Sequence, residues 1–119
     1  MSYSDKVLDH FENPRNVGEL ADADGDARME HPVCGDIMRI TIKVADGRIE
    51  QIRFKSRGCV ASIAAGSCLT EMVAGRSLSE ARSLRREQLV EAMGGLNNAS
   101  MHASHLAMEV LSEALKQLS

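Results

Sequence analysis

The sequence predicts an α+β domain, a small antiparallel sheet packed against several helices. Three observations carry this reading. Apolar and polar residues alternate from Ile37 to Val44, Asp46-Gly47 signals a hairpin turn, and a second strand follows from Ile49 to Ser56. Apolar residues at helical spacing follow, most clearly Ala107, Val110, Leu111, Ala114, Leu115 and Leu118. The order of helix, sheet and then several helices suits a layered arrangement. With 119 residues, 44% of them hydrophobic, the chain can form one domain, residues 1–119, around one core.

Residues 4–12 read as a short amphipathic helix with Val7, Leu8 and Phe11 on one face, ended before Pro14. Residues 15–33 are polar and acidic and read as a loop region, with a short edge strand around Arg28 to His31. Met38, Ile40, Ile42 and Val44 then alternate with Arg39, Thr41 and Lys43, which predicts a strand with one wet face. The next strand, Ile49 to Ser56, turns Ile52 and Phe54 inward. A plain two-residue turn at Asp46-Gly47 would set Ile42 opposite Gln51. One buried face requires Ile42 opposite Ile52 and Ile40 opposite Phe54, so a longer loop or a bulge is predicted. Arg39, Lys43, Arg53 and Lys55 then make a basic, solvated face. The stretch VASIAAGSCLTEMVA, closed by Gly75, reads as a helix whose small residues permit close approach to the sheet. Ser77 to Glu80 forms a capping box that opens a helix over 78–84. A short segment from Glu87 to Met93 stops at Gly94-Gly95. The last helix runs from about Ser100 to Gln117, with Asn98 or Ser100 as its cap.

Composition excludes some functions. Tyr3, Phe11 and Phe54 are the only aromatic residues besides histidine, which argues against a stacking surface for single-stranded nucleic acid. A net charge of −3 gives no bias toward polyanions. No apolar run approaches the ~20 residues of a membrane span, and the polar first residues lack a signal-peptide core. A cytoplasmic protein without nucleic-acid or membrane partners is expected. In that reducing setting Cys34, Cys59 and Cys68 are ligands, reactive thiols or small core residues rather than disulfides.

Cys34 enters the first hairpin strand and Cys59 leaves the second. The buried-face register pairs Met38 with Ser56, and its continuation pairs Asp36 with Gly58. Cys34, Asp36 and Cys59 therefore meet at one end of the sheet, where thiolates also gain from the N-terminus of the following helix. Two thiolates and a carboxylate form a corner that zinc, or iron in a sulfide cluster, accepts. His102, in the first turn of the last helix and beside its core stripe, is a candidate fourth ligand. Spacing alone leaves packing roles open for both cysteines and a surface or capping role for His102, His105 and His31. Cys68 lies about 13 Å along the helix from Cys59, too far to share its metal, and reads as packing.

The segments YSDKVLDHFENPRNVGEL, VCGDIMRITIKV, IRFKSRGCVASIA, LTEMVAGRSLSEA and MHASHLAMEVLSEAL resemble, in order and over nearly the whole chain, the IscU/NifU N-terminal family of iron–sulfur cluster assembly scaffolds. The resemblance implies a scaffold rather than an enzyme. A cysteine desulfurase supplies sulfur as a persulfide, an iron donor supplies iron, and a [2Fe-2S] cluster passes to apo target proteins. It assigns ligand roles to Cys34, Asp36, Cys59 and His102. The family's third cysteine falls on Ala103, which cannot ligate. Cys34 and Cys59 remain as persulfide acceptors, and two-thiolate, two-non-thiolate ligation remains feasible. The same four donors would complete a tetrahedral zinc site in a desulfurase-binding relative that does not itself build clusters. A thiol enzyme using Cys59 with His102 as base is a weaker alternative. Leu96 to Ser100 lacks the family's Leu-Pro-Pro-Val-Lys, which argues against handover by its Hsp70-type chaperone.

Overall fold

A computed structural model describes residues 3–118. Three antiparallel strands, β1 (Gly25–Glu30), β2 (Ile37–Ala45) and β3 (Arg48–Arg57), lie in the order β1-β2-β3. The α+β architecture is the expected one. Helices α1 (Asp5–Glu12), α2 (Val60–Val73), α3 (Leu78–Ser83), α4 (Arg86–Ala92) and α5 (Met101–Lys116) surround the sheet, and α2 and α5 pack on its apolar face.

The hairpin resolves the register problem with a bulge. Ile42 faces Ile52 and Ile40 faces Phe54, while Val44 pairs with Ile49, leaving Glu50 as the extra residue. The turn itself is two residues long, with Asp46 and Gly47 both at positive φ, the geometry that matches strand twist. Ile40, Ile42, Ile49 and Ile52 are fully buried. Helix α2 approaches this layer so closely that a Cβ on Gly66 would lie 2.7 Å from Cε2 of Phe54. Fully burying one such aliphatic side chain contributes roughly 1.5–3 kcal/mol, so this shared layer is a main source of stability.

Four sequence expectations are corrected. Strand β1 begins at Gly25, earlier than the Arg28 to His31 edge strand, and His31 lies beyond its end. Gly25 and Ala27 face inward, where a Cβ on Gly25 would lie 2.7 Å from the Ala114 carbonyl oxygen; small residues carry little strand signal in sequence. Helix α1 buries Val7 and His10, while Leu8 and Phe11 remain exposed. His10 is turned inward by a contact no local pattern reveals: its Nδ1 lies 2.7 Å from the Ser67 hydroxyl, which also accepts the Arg15 N–H. The basic sheet face is not freely solvated. Arg39 forms a forked pair with Asp26 and approaches Glu19, Lys55 reaches Glu19, and Thr41 is buried beneath the Leu20 N–H. Last, Ser100 stands at the N-cap position of α5 but makes no side-chain cap bond; the capping side chain is Asn97, one turn earlier, which accepts the Ser100 N–H at the head of the 3-10 turn Asn98–Ser100.

Both sheet edges are partly covered. Beside β3, the Phe54 N–H donates to the Asn16 carbonyl and the Gly18 N–H donates to the Phe54 carbonyl. Beside β1, the Gln117 amide accepts from the Asp26 N–H and donates to the Asp26 carbonyl.

Candidate metal centre

Three separate pieces of chain meet at the end of the sheet where β2 begins and β3 ends. The loop 31–36 supplies Cys34 and Asp36, the junction of β3 and α2 supplies Cys59, and the first turn of α5 supplies His102. Asp36 is the centre. Its Oδ2 accepts from the Ser62 hydroxyl at 2.6 Å and from the Cys59 thiol at 3.3 Å, and lies 3.2 Å from His102 Nε2. Cys59 Sγ is 3.7 Å from the same Nε2. Donor atoms of Cys34, Asp36 and His102 all lie within 4.8 Å of one another. Asp36 and His102 thus stand between two thiols, Cys34 exposed and Cys59 half-buried.

Gly58 makes the meeting possible. A Cβ there would sit 2.5 Å from Cγ of Asp36, so only glycine leaves room for the carboxylate at this crossing. Asp36 is 7% exposed. Burial pushes its carboxyl pKa up, but the hydrogen bonds from Ser62, Cys59 and His102 outweigh this and hold it below the ordinary value. His102 Nδ1 lies 3.2 Å from the Ala99 carbonyl, a contact that fixes the ring and turns Nε2 to Asp36 and Cys59.

Ala103 is fully buried in the core beside His102 and offers no donor. Cys68 is 3% exposed inside α2, and burial pushes its thiol up to about 11, the signature of an inert packing residue. His105 points away and lines a groove with Arg82, Arg86 and Met108 between α3 and α5. Two participants escaped the sequence reading. Ser62 gives Asp36 its shortest hydrogen bond, and His31 packs its ring 5.3 Å from that of His102. The small-residue pattern of α2 disguised the first; the second had only its nearness to Cys34 as a signal.

Two thiols, a carboxylate and an imidazole suit zinc, iron or an iron–sulfide cluster, and an imidazole whose other nitrogen is anchored on a backbone carbonyl is the usual presentation of a ligand histidine. Comparison with known proteins identifies the family. The family model described as NifU-like N terminal domain matches residues 2–119. The chain belongs to that family. This NifU-like domain is 52% identical over 113 residues to an iron–sulfur cluster assembly scaffold protein IscU of Archaeoglobus fulgidus, covering 95% of this chain and 74% of that one. It is 43% identical over 119 residues to the IscU scaffold protein of Escherichia coli K12, covering 97% and 92%. Among solved structures, a NifU-like N-terminal protein from Brucella abortus superposes with a TM-score of 0.77 at 18% identity, covering 97% of this chain and 92% of that one. A candidate SUF-system scaffold from Fervidobacterium islandicum AW-1 gives 0.80 at 18% identity, covering 95% and 96%, and both likenesses bear on the fold. The relatives are scaffold proteins rather than enzymes of a conventional kind.

Proposed function

We propose that this NifU-like domain is a scaffold on which an iron–sulfur cluster of the [2Fe-2S] type is built and from which it is passed to apo target proteins. The observation that carries the reading is the convergence of Cys59 and His102 on one oxygen of Asp36, with Cys34 at the open side. Cys34, Asp36, Cys59 and His102 serve as the ligands. Cys34 is the better placed of the two thiols to receive sulfur, because it is exposed while Cys59 is half-buried and hydrogen-bonded to Asp36. Its thiolate attacks the terminal sulfur of a persulfide carried by a cysteine desulfurase. One S–S bond forms, the donor's S–S bond breaks, and the donor leaves as a thiolate. No described helix is long and apolar enough to cross a membrane, and the work is assigned to the cytoplasm.

Anaerobic reconstitution with iron and sulfide, followed by visible absorption and iron counting, tests this. A coloured protein whose colour is lost in Cys34→Ser and Cys59→Ser is expected. A colourless protein without bound iron refutes it. A second reading has its own motive: Ala103 leaves four donors, the number a closed zinc site needs. Stoichiometric zinc that never yields to iron and sulfide favours that reading, with the domain acting as a desulfurase-binding partner.

A further inference from the structure

Cys34 sits on a loop with little of its own to hold it. Val33 is 89% exposed, Cys34 is exposed, and Pro32 has no N–H to donate. What folds this loop is His31. Its N–H donates to the Asp36 carbonyl at 2.7 Å, and its own carbonyl accepts the Gly35 N–H at 2.9 Å. Its ring does the rest: Nδ1 accepts the N–H of Val33 at 3.3 Å and of Cys34 at 3.4 Å. Among the described residues no other side chain hydrogen-bonds to residues 32–35. The geometry is that of an asparagine turn, in which a side-chain acceptor stands in for a backbone carbonyl. The rest of the ring lies against His102, with centroids 5.3 Å apart and planes tilted by 60°.

We infer that His31 is a positioning residue for the donor cluster: its Nδ1 edge holds the Cys34 loop beside Asp36, and its ring braces the imidazole of His102. This rests on the reading of Cys34, Asp36, Cys59 and His102 as ligands, and it adds a residue that binds nothing itself. A flexible loop, and an imidazole held by fewer contacts, must both be ordered when a metal arrives. A donor cluster already in place avoids that ordering loss. Residues that orient ligands are worth about 10–100-fold in metal affinity, and the same scale is expected here.

The two functions of the ring separate by substitution. His31→Asn keeps an acceptor where Nδ1 stands and removes the ring. His31→Phe keeps a ring and removes the acceptor, and His31→Ala removes both. Two readouts apply to each variant. The first is the 15N order parameter of the Cys34 amide in the metal-free chain, about 0.85 when rigid and below about 0.6 when flexible. The second is an anaerobic cobalt(II) titration followed by thiolate-to-cobalt absorption. His31→Ala and His31→Phe are expected to loosen the Cys34 amide, while His31→Asn keeps it ordered. Cobalt binding is expected to weaken at least tenfold in His31→Ala, with most of the loss recovered in His31→Asn. An unchanged order parameter and unchanged affinity in His31→Ala overturn the inference, as does a His31→Asn variant no better than His31→Ala. A wild-type chain that binds cobalt yet builds no cluster defeats the scaffold reading alone and leaves the role of His31 standing.

Discussion

Replacing Gly58 with alanine separates the candidate metal centre from the fold that carries it. The new Cβ would stand 2.5 Å from Cγ of Asp36, 2.6 Å from its Oδ1 and 2.9 Å from its Cβ. Ordinary contact begins at 3.4 Å, so the carboxylate must retreat by about 0.9 Å. It cannot do so and keep its partners. The Ser62 hydrogen bond is 2.6 Å long and the His102 contact 3.2 Å, both to the same Oδ2. A swing of that size breaks at least one of them. Leaving a buried carboxylate short of a partner costs about 1–3 kcal/mol, so Gly58→Ala is expected to fold with that much less stability in urea denaturation. Its cobalt(II) affinity is expected to fall at least tenfold, about 1.4 kcal/mol. Thermal and urea unfolding, run beside an anaerobic cobalt titration, measure both. Wild-type affinity in Gly58→Ala refutes the placement of Asp36 at the heart of the donor cluster.

Three further outcomes follow from other parts of the fold. In Gly66→Ala the added methyl meets the Phe54 ring, itself only 2% exposed. Overpacking of about 1–3 kcal/mol outweighs the ~1 kcal/mol gain in helix propensity, so a net loss in unfolding free energy is expected, and a gain refutes the packing. His10 is held below its ordinary pKa by burial and then by Arg15, with Glu71 and Asp9 opposing. The unfolded chain therefore takes up a proton first. His10 contributes full stability above about 6.5 and loses it as pH falls through that value toward the folded pKa. Urea titrations from pH 7.5 downward should show this decline in the wild type and a flatter profile in His10→Asn. Mass spectrometry after brief alkylation is expected to find Cys34 labelled first, Cys59 later, and Cys68 only after unfolding. Early labelling of Cys68 contradicts its burial in α2.

The sheet was legible because period-two patterning admits one register when one face is buried. The hydrophobic pairs Ile42–Ile52 and Ile40–Phe54 demanded an irregularity, and Glu50 supplies it. The meeting of Cys34, Asp36 and Cys59 at one sheet end followed from the same register. His102 was a candidate from its place in the first turn of the last helix, but spacing could not decide its approach, which depends on how α5 crosses the sheet; the family resemblance gave it the ligand role. Helix α1 was misjudged because apolar counting favours Leu8 and Phe11, whereas a hydrogen bond across 57 positions decides for His10. His31 stayed hidden for a related reason. An acceptor that folds its own loop leaves no periodic trace, and its ring meets a partner from the far end of the chain.

The partly covered borders of the sheet bear on whether copies of the domain stay apart. An open strand flank invites the next molecule to zip on, and a three-stranded sheet has two such flanks. Here the segment Asn16–Gly18 covers one at Phe54 and the carboxamide of Gln117 covers the other at Asp26. A domain with Cys34 bared to solvent can thus stay dispersed, and cutting back Gln117 to alanine should be felt first as clumping.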